Sequence, residues 1–254
     1  MLWAIDVGNT HTVVGVHYGS TWAAVWRLAT SSRTEDETAA LLAQLGSMVG
    51  IGLKGDQFVV ASVVPSQDEV WKLLAAKWLG CDAWFLRKGR VVGVEVAYDP
   101  PHAVGADRIA NALAAIKLYG PPVVVVDFGT ATTFDVVDSK GRYVGGAIVP
   151  GVATSVEALS RGTSKLPPVS LEAPSHAIGR NTVESIQSGV MFGYAGAIDS
   201  LAAKIQAELG GGAKFVATGG LAGRFHGLCK SLDVVEPLLT LDGLREAARI
   251  RRRL

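Results

Sequence analysis

The first thirty residues contain three short runs in which apolar positions are continuous or alternate with polar ones. Residues 2–5 are continuously apolar, residues 12–16 alternate, and residues 21–28 alternate again after a turn that contains Gly19. Runs of this length and period predict β-strands, and the short connections between them predict antiparallel pairing. The chain is therefore predicted to begin with a three-stranded meander.

The second half of the chain repeats this pattern. The apolar run of residues 123–126 ends at Asp127, as the first run ends at Asp6, and residues 132–137 and 142–149 supply two further strand patterns. The two acidic residues are 121 positions apart (127 minus 6). This offset predicts an internal duplication.

Between and after the meanders, helical periodicity alternates with short apolar runs. Helices are predicted over residues 35–48, 68–78, 104–118, 153–160, 182–209 and 240–251. Further strands are predicted over residues 57–64, 83–86 and 214–218. The loop over 162–179 is long enough to suggest closure over a substrate. The pattern predicts an α/β fold with two mixed domains, residues 1–120 and 121–254, that share a central nucleotide cleft.

Composition narrows the class of protein. The 254 residues are 49% hydrophobic and 19% charged, with 30 glycines, which is typical of a compact soluble protein rich in tight turns. A net charge of +1 gives no general attraction to polyanions, and the basic residues of 248–254 are typical of a solvated helix end, so no nucleic-acid partner is expected. We expect no membrane association and a cytoplasmic location, because the chain has neither a basic leader nor a long apolar segment.

Cysteine and known nucleotide motifs exclude several classes of site. Cys81 and Cys229 are far apart and outside any metal-ligand spacing, so a disulfide framework and a zinc site are unsupported. The phosphate loop of P-loop enzymes, the Gly-x-Gly-x-x-Gly dinucleotide turn and the His-Glu-x-x-His zinc motif are all missing from the sequence.

Two glycine-bearing acidic turns are the main candidates for nucleotide chemistry. Gly8, Asn9 and Thr10 follow Asp6, while Gly129, Thr130 and Thr132 follow Asp127. Either turn alone could be an ordinary hairpin turn whose acidic residue caps it. Two independent hairpins would not both need an acidic strand end and a threonine in the turn. The repeated pattern therefore favours phosphate binding, with each carboxylate able to hold a cation.

A third candidate lies at the start of the alanine-rich helix, where Gly105 precedes Asp107 and Arg108. Asp107 could simply favour the helix N-terminus while Arg108 is solvated. Alternatively, Asp107 accepts a proton from an alcohol and Arg108 binds a carboxylate or phosphate, which suits phosphoryl transfer. The pattern alone leaves both interpretations open.

Two glycine-rich segments in the second half complete the candidates. Gly219 and Gly220 end a predicted strand and could form a tight turn or let an adenine ring approach the backbone. The helix over 182–209 carries the small residues Gly189, Gly193, Ala195 and Gly196 among apolar ones, which indicates close packing either inside one core or against a partner helix.

Taken together in this order, the motifs resemble the type III pantothenate kinases, which belong to the superfamily of actin, hexokinase and sugar kinases. The resemblance covers nearly the whole chain. It is carried by residues 6–10, 101–108 with Asn111, 127–132, 145–151, Asn181 with Thr182, and 239–243.

The resemblance implies two duplicated ribonuclease H-like domains with the actin/hexokinase-type ATPase fold. It also implies phosphorylation of pantothenate by ATP, the first step toward coenzyme A. Asp107 resembles the family's general base. Pantothenate contacts are implied for Tyr98, Gly105, Ala106, Asp107, Arg108 and Thr182, the last supplied by the other subunit of a homodimer. ATP contacts are implied for Asp6, Val7, Gly8, Asn9, Thr10, His11, Thr12, Val13 and Thr130.

The same resemblance implies two kinds of cation. Asp127 resembles the ligand of a potassium or ammonium ion, and Asp6 is expected to hold Mg²⁺ through water, because Mg²⁺ gives up its hydration reluctantly. Two other functions remain open: a nucleotide-binding accessory transcriptional regulator, and a kinase of another small hydroxy acid. The presence of both Asp107 and Asp127 argues against regulation as the sole function.

Overall fold

The computed structural model of the chain, described here for residues 1–162 and 166–253, divides into two compact units. Unit 1 consists of Met1–Ala114 together with Leu239–Leu254, and unit 2 consists of Ala115–Leu238. The predicted limits of 1–120 and 121–254 differ from this division chiefly in the last helix, which packs on the first two parallel strands of unit 1. Sequence periodicity does not report which sheet a terminal helix covers.

Ten strands and seven helices make up the described regular structure. The strands are β1 (Leu2–Val7), β2 (His11–Tyr18), β3 (Thr21–Ala29), β4 (Gln57–Ser62), β5 (Ala83–Phe85), β6 (Val123–Phe128), β7 (Ala131–Val137), β8 (Tyr143–Pro150), β9 (Lys214–Gly219) and β10 (Val234–Val235). The helices are α1 (Glu35–Ser47), α2 (Asp68–Leu74), α3 (Ala106–Tyr119), α4 (Val152–Arg161), α5 (Thr182–Glu208), α6 (Ala222–His226) and α7 (Leu239–Arg251).

Unit 1 is built on a five-stranded sheet with the order β3-β2-β1-β4-β5. The first three strands pair antiparallel, as the alternating pattern predicted, while β4 and β5 add in parallel. One face of β1 buries Trp3, Ile5 and Val7 in a core that includes Leu42 of α1 and Trp71 of α2. Parallel β1 and β4 bring their carboxyl ends to one edge of the sheet, where the chain turns after each strand.

The helix predicted over 68–78 is regular only to Leu74. A π-helical turn, Ala75–Leu79, continues it and ends at Gly80, whose φ of 69° is left-handed. α1 begins where the capping residues place it, because the Thr34 hydroxyl accepts from the Glu37 N–H while the Glu37 carboxylate accepts from the Thr34 N–H.

Unit 2 repeats the arrangement with the order β10-β9-β6-β7-β8. Both meanders contain a β-bulge at an equivalent place, between Val16 and His17 and between Val136 and Val137, an offset of 120 (136 minus 16). The offset falls from 121 to 120 because the turn after β6 is one residue shorter than the turn after β1: Asp127 pairs with Thr133, whereas Asp6 pairs with Val13. The predicted duplication is therefore present in strand register.

Several short or irregular segments were not predicted, including α6 and β10. The loop predicted over 162–179 contains residues 163–165, which lie outside the described residues, and its described part from 166 onward forms neither helix nor strand. In the part of the chain described, no helix is long and apolar enough to cross a membrane.

The glycine-bearing face of α5 is exposed. Within the described residues, a Cβ placed on Gly189, Gly193 or Gly196 meets no atom outside the nearby backbone of its own helix within 4 Å, whereas Ala195 and Ile198 on the opposite face are buried. Ala195 therefore packs in the core of unit 2, as one interpretation of the sequence expects, while the three glycines face away from that core and leave the partner-helix interpretation open.

Candidate active site

The turn after β1 is held by a relay of threonine hydroxyls. Gly8 N–H donates to the His11 carbonyl at 3.0 Å, and Thr30 Oγ1 donates to the Gly8 carbonyl at 2.7 Å. Thr12 Oγ1 lies 2.8 Å from Thr30 Oγ1, and Thr30 N–H donates to the Thr10 carbonyl at 3.0 Å. The turn is thus fixed by β3 as well as by its own strands.

Asp107 lies at the same edge of the unit 1 sheet as this turn. Val63, just beyond β4, donates its N–H to the Val7 carbonyl at 3.1 Å. A Cβ on Gly105 would lie 3.3 Å from Val63 Cγ1 and would overlap Asp107 Oδ1. Gly105 therefore lets the Asp107 carboxylate come close to the backbone beside the carboxyl ends of β1 and β4.

The Asp107 carboxylate is oriented by its own helix. Asp107 Oδ1 accepts from Arg108 N–H at 2.8 Å, in the first turn of α3, where the helix dipole favours a negative charge. This geometry satisfies the structural explanation of Asp107 and also fixes the carboxylate in one orientation, as a general base requires. The two interpretations of the sequence are compatible at this position.

The other predicted pantothenate residues divide between the units. Tyr98 is half-buried in the loop before a 3₁₀ turn, Pro101–Ala103, and belongs to unit 1 with Gly105, Ala106 and Arg108. Thr182 is the exposed first residue of α5 and belongs to unit 2, where Asn181 Oδ1 caps the helix by accepting from Glu184 N–H at 2.9 Å.

In unit 2, the Asp127 carboxylate occupies a notch formed by glycines. Gly219 has a φ of 88°, and a Cβ there would lie 2.5 Å from Asp127 Oδ1; a Cβ on Gly129 would lie 4.0 Å from the same oxygen. Any other residue at 219 would fill the space beside the carboxylate. One carboxylate bordered by backbone suits a large monovalent cation, which tolerates irregular oxygen ligands.

No group of three or more His, Cys, Asp or Glu side chains able to hold a metal occurs within residues 1–162 and 166–253. The donor set is consistent with ions that complete their coordination with water or with phosphate oxygens of a substrate, as Mg²⁺ commonly does.

Thr130 lies in the turn after β6, the shorter counterpart of the turn after β1. Gly151 N–H donates to the Thr130 carbonyl at 3.1 Å, as Thr30 does to Thr10, and 151 minus 30 is again 121. A Cβ on Gly151 would overlap the carbonyl oxygens of Gly129 and Thr130. In unit 2 the Gly151 backbone thus lies directly against the turn, and the hydroxyl contact comes from Thr154 of α4, whose Oγ1 donates to the Thr130 carbonyl at 2.8 Å.

Two supporting residues, Arg27 and Thr30, were not singled out from the sequence. Gly151 was included only as the last residue of the 145–151 motif, without a role of its own. The 121-residue offset, extended to the third strands, would have paired Thr30 with Gly151. Arg27 had no such signal, because its position next to His11 depends on the register of β2 with β3.

His11 accepts a hydrogen bond at Nδ1 from an Arg27 guanidinium nitrogen at 3.1 Å. Because guanidinium has no acceptor, the imidazole is neutral and carries its proton on Nε2. Partial burial, followed by the positive charge of Arg27, lowers the pKa of His11, which agrees with this protonation state.

Solved structures share this fold at low sequence identity. A Campylobacter jejuni protein provisionally assigned to the Baf family of transcriptional activators aligns with a TM-score of 0.64 and 20% identity, over 99% of this chain and 100% of that one. A Sinorhizobium meliloti protein provisionally identified as a 2-dehydro-3-deoxygalactonokinase aligns with a TM-score of 0.59 and 15% identity, over 100% of this chain and 97% of that one. With the two mixed sheets, these matches confirm the predicted α/β fold built from two mixed halves.

Sequence comparison identifies the family. The profile of the type III pantothenate kinase family matches residues 2–204. The type III pantothenate kinase of Moorella thermoacetica is 45% identical over 247 residues, which cover 96% of this chain and 97% of that protein. That of Myxococcus xanthus is 47% identical over 96% of both chains. The chain therefore belongs to the type III pantothenate kinases.

Proposed function

We propose that this chain transfers the γ-phosphoryl group of ATP to the primary hydroxyl of pantothenate, giving 4'-phosphopantothenate on the route to coenzyme A, in the cytoplasm. Family membership supports the reaction. The observation on the chain that carries the proposal is the placement of Asp107 at the same sheet edge as the Asp6 turn. Phosphoryl transfer depends mostly on positioning and charge neutralisation, and this edge supplies groups for both.

Asp107 is the general base in this proposal. The Asp107 carboxylate, oriented by the hydrogen bond from Arg108 N–H to its Oδ1, accepts the proton of the pantothenate hydroxyl as the hydroxyl oxygen attacks phosphorus. Tyr98, Gly105, Ala106 and Arg108 contact pantothenate, with Arg108 suited to an anionic group.

The turn from Asp6 to Val13 binds the ATP phosphates, together with Thr130. The hydroxyl relay through Thr30 keeps the first turn in one conformation, so little ordering is needed when phosphate binds. Asp6 would hold Mg²⁺ through water, and Asp127 in its glycine notch would hold K⁺ or NH₄⁺. Such ions, when bound, neutralise charge on the phosphates.

A homodimer through α5 is part of the same proposal. The exposed glycines of α5 adjoin a groove of about 470 Å³ lined by Leu159, Leu166, Thr182, Ser185, Ile186, Gly189 and Val190. The exposed face of α5 from Ser185 to Ala203 carries no charged residue, and Ile178 nearby in sequence is 84% exposed. An uncharged face with small residues favours a second helix at close range, and a second copy would bring Thr182 to a pantothenate site.

The test is ADP release with ATP, Mg²⁺ and pantothenate, comparing K⁺ or NH₄⁺ with Na⁺ alone. We expect turnover that requires pantothenate and is strongly stimulated by K⁺ or NH₄⁺. Turnover with a different hydroxy acid but not with pantothenate would contradict the proposed acceptor, and equal rates with Na⁺ would contradict the cation role of Asp127.

Asp107→Asn tests the base. We expect turnover to fall about a hundred- to ten-thousandfold while pantothenate and ATP still bind, because the amide keeps the shape but accepts no proton. Asp82→Asn, an exposed carboxamide substitution elsewhere in unit 1, is the matched control and should leave the rate unchanged.

A further inference from the structure

Arg27 lies in the same cross-strand row as Asp6. In the sheet of unit 1, Asp6 is paired with Val13, and Val13 is paired with Arg27 on β3. Residues directly opposite each other on adjacent strands lie on one face, so the Asp6 and Arg27 side chains project from the same face. Two strand spacings separate their backbones by roughly 10 Å, a gap that an arginine and a phosphate chain together can span.

The charge of Arg27 is not neutralised by a neighbouring carboxylate. Within residues 1–162 and 166–253, no Asp or Glu lies within ion-pair distance of Arg27, and its one polar contact is donation to His11 Nδ1. Arg27 is also the only charged residue of β3. An edge strand often carries a charge that discourages edge-to-edge pairing. That role does not require the guanidinium to hydrogen-bond a residue of the phosphate turn.

We propose that Arg27 binds the γ-phosphate of ATP, with His11 holding the guanidinium in place until the nucleotide arrives. The inference rests on the proposed function for the identity of the nucleotide. Arginine suits this task because its planar fork matches phosphate oxygens and its charge persists at every working pH. Neutral His11 carries no negative charge that would repel an anion, and its Nε2–H is a further hydrogen-bond donor at the same turn.

The γ-phosphate is the group concerned because of where Asp107 lies. The base must act on a hydroxyl that attacks the transferred phosphorus, so that phosphorus has to lie near the edge of unit 1 that holds Asp107. The row from Asp6 to Arg27 belongs to the same sheet and turn. The Arg27 guanidinium therefore contacts the γ-phosphate, which is transferred, and not the phosphates that remain in ADP.

The experiment is titration calorimetry of ATP and of ADP, each with Mg²⁺ and without pantothenate, on the wild type, Arg27→Gln and Arg27→Lys. Arg27→Gln should weaken ATP binding about ten- to a hundredfold, the range for losing a charge-assisted hydrogen bond, and leave ADP binding within twofold. Arg27→Lys should give an intermediate loss, because lysine keeps the charge without the fork. Arg33→Gln removes an equal charge from a half-buried residue six positions later, whose guanidinium donates to the Ala29 carbonyl, and should change neither affinity.

ATP affinity within twofold of wild type in Arg27→Gln would overturn the proposal, as would equal losses for ATP and ADP. If Arg27→Gln fails to fold, the Arg27→Lys series decides by the same comparison. Because binding is measured without pantothenate, a wild type that binds ATP normally but does not phosphorylate pantothenate would contradict the proposed function and leave this inference standing.

Discussion

At the scale of single residues, the two halves solve one problem in two ways. Each half must hold a turn against its third strand. Both use a backbone hydrogen bond from the residue after that strand, Thr30 in unit 1 and Gly151 in unit 2. Unit 1 adds the Thr30 hydroxyl, whereas unit 2 omits a side chain at Gly151 so that two backbones touch, and its hydroxyl contact comes from Thr154 of α4. A hydroxyl can be replaced by another small donor at modest cost, whereas a backbone contact excludes every residue but glycine.

Gly219→Ala is the residue-scale prediction. The backbone at position 219 has a φ of 88°, which is unfavourable for alanine. The new Cβ would also lie 2.5 Å from Asp127 Oδ1 and would displace that carboxylate. We expect the K⁺ concentration for half-maximal rate to rise at least tenfold and unfolding free energy to fall by about 1–3 kcal/mol. Gly227→Ala, where a Cβ meets nothing within 4 Å, is the control for urea unfolding and K⁺ titration. An unchanged K⁺ response in a folded Gly219→Ala would argue against the Asp127 site.

Sequence reasoning at this scale reached Asp6, Asp107 and Asp127 because each lies two residues from a glycine, at a strand end or a helix start. It did not reach Arg27 or Thr30. Both act across strands, and which residues face each other there depends on the bulge and the turn length, neither of which composition specifies.

At the scale of elements, alternation and turn residues were sufficient to predict both meanders, the strands β4 and β9, and the start of α5 at Thr182. The parallel pairing of β4 and β9 was not predicted. The π-helical turn after α2 was missed because Ala75–Leu79 keeps a helical pattern and differs only in hydrogen bonding. α6 and β10 are five and two residues long, too short for a periodic signal.

Gly193→Leu is the element-scale prediction. Among residues 1–162 and 166–253, no atom lies within 4 Å of a Cβ built at that position outside the nearby helix backbone, so we expect the variant to fold and to retain its thermal unfolding temperature within a few degrees. Light scattering should show a shift from dimer to monomer, because leucine would prevent close approach of a second α5. Gly223→Leu, on α6 and equally open, should remain a dimer. A wild-type monomer, or a dimeric Gly193→Leu, would contradict the proposed interface.

At the scale of the whole molecule, the chain passes from unit 1 to unit 2 within α3 and returns just before α7. On the unit 2 side, the Tyr119 hydroxyl donates to the Glu236 carboxylate, and Lys214 Nζ lies 4.8 Å from the centre of the Tyr119 ring. On the unit 1 side, Thr240 Oγ1 donates to Asn111 Oδ1 at 2.8 Å, and Gly243 packs against the backbone of Ala110. The two connecting segments are therefore tied together at both ends.

Stability at alkaline pH tests the Tyr119 contact. Burial first, and then hydrogen bonding to Glu236, raise the pKa of Tyr119 to about 12. The contact contributes fully below the unfolded tyrosine pKa of about 10 and is lost as pH rises through the folded value. Tyr119→Phe should lower the unfolding free energy by about 1–2 kcal/mol at pH 8, with the difference shrinking between about pH 10 and 12. Urea unfolding of wild type and Tyr119→Phe at each pH measures this difference in free energy, with Tyr18→Phe, at an exposed tyrosine, as the control. A difference that does not change with pH would contradict the proposed role of the Tyr119 hydroxyl.

The return of α7 to unit 1 also determines the order in which the two units can fold during synthesis. Leu239, Leu241 and Leu244 complete the core of the first unit, yet they follow the whole of unit 2 in the chain and leave the ribosome after it. Unit 2 is one continuous segment and can close as soon as Leu238 has emerged. The second unit is thus the first able to finish folding, and the unit that carries Asp107 can complete its core only after unit 2 has been synthesised.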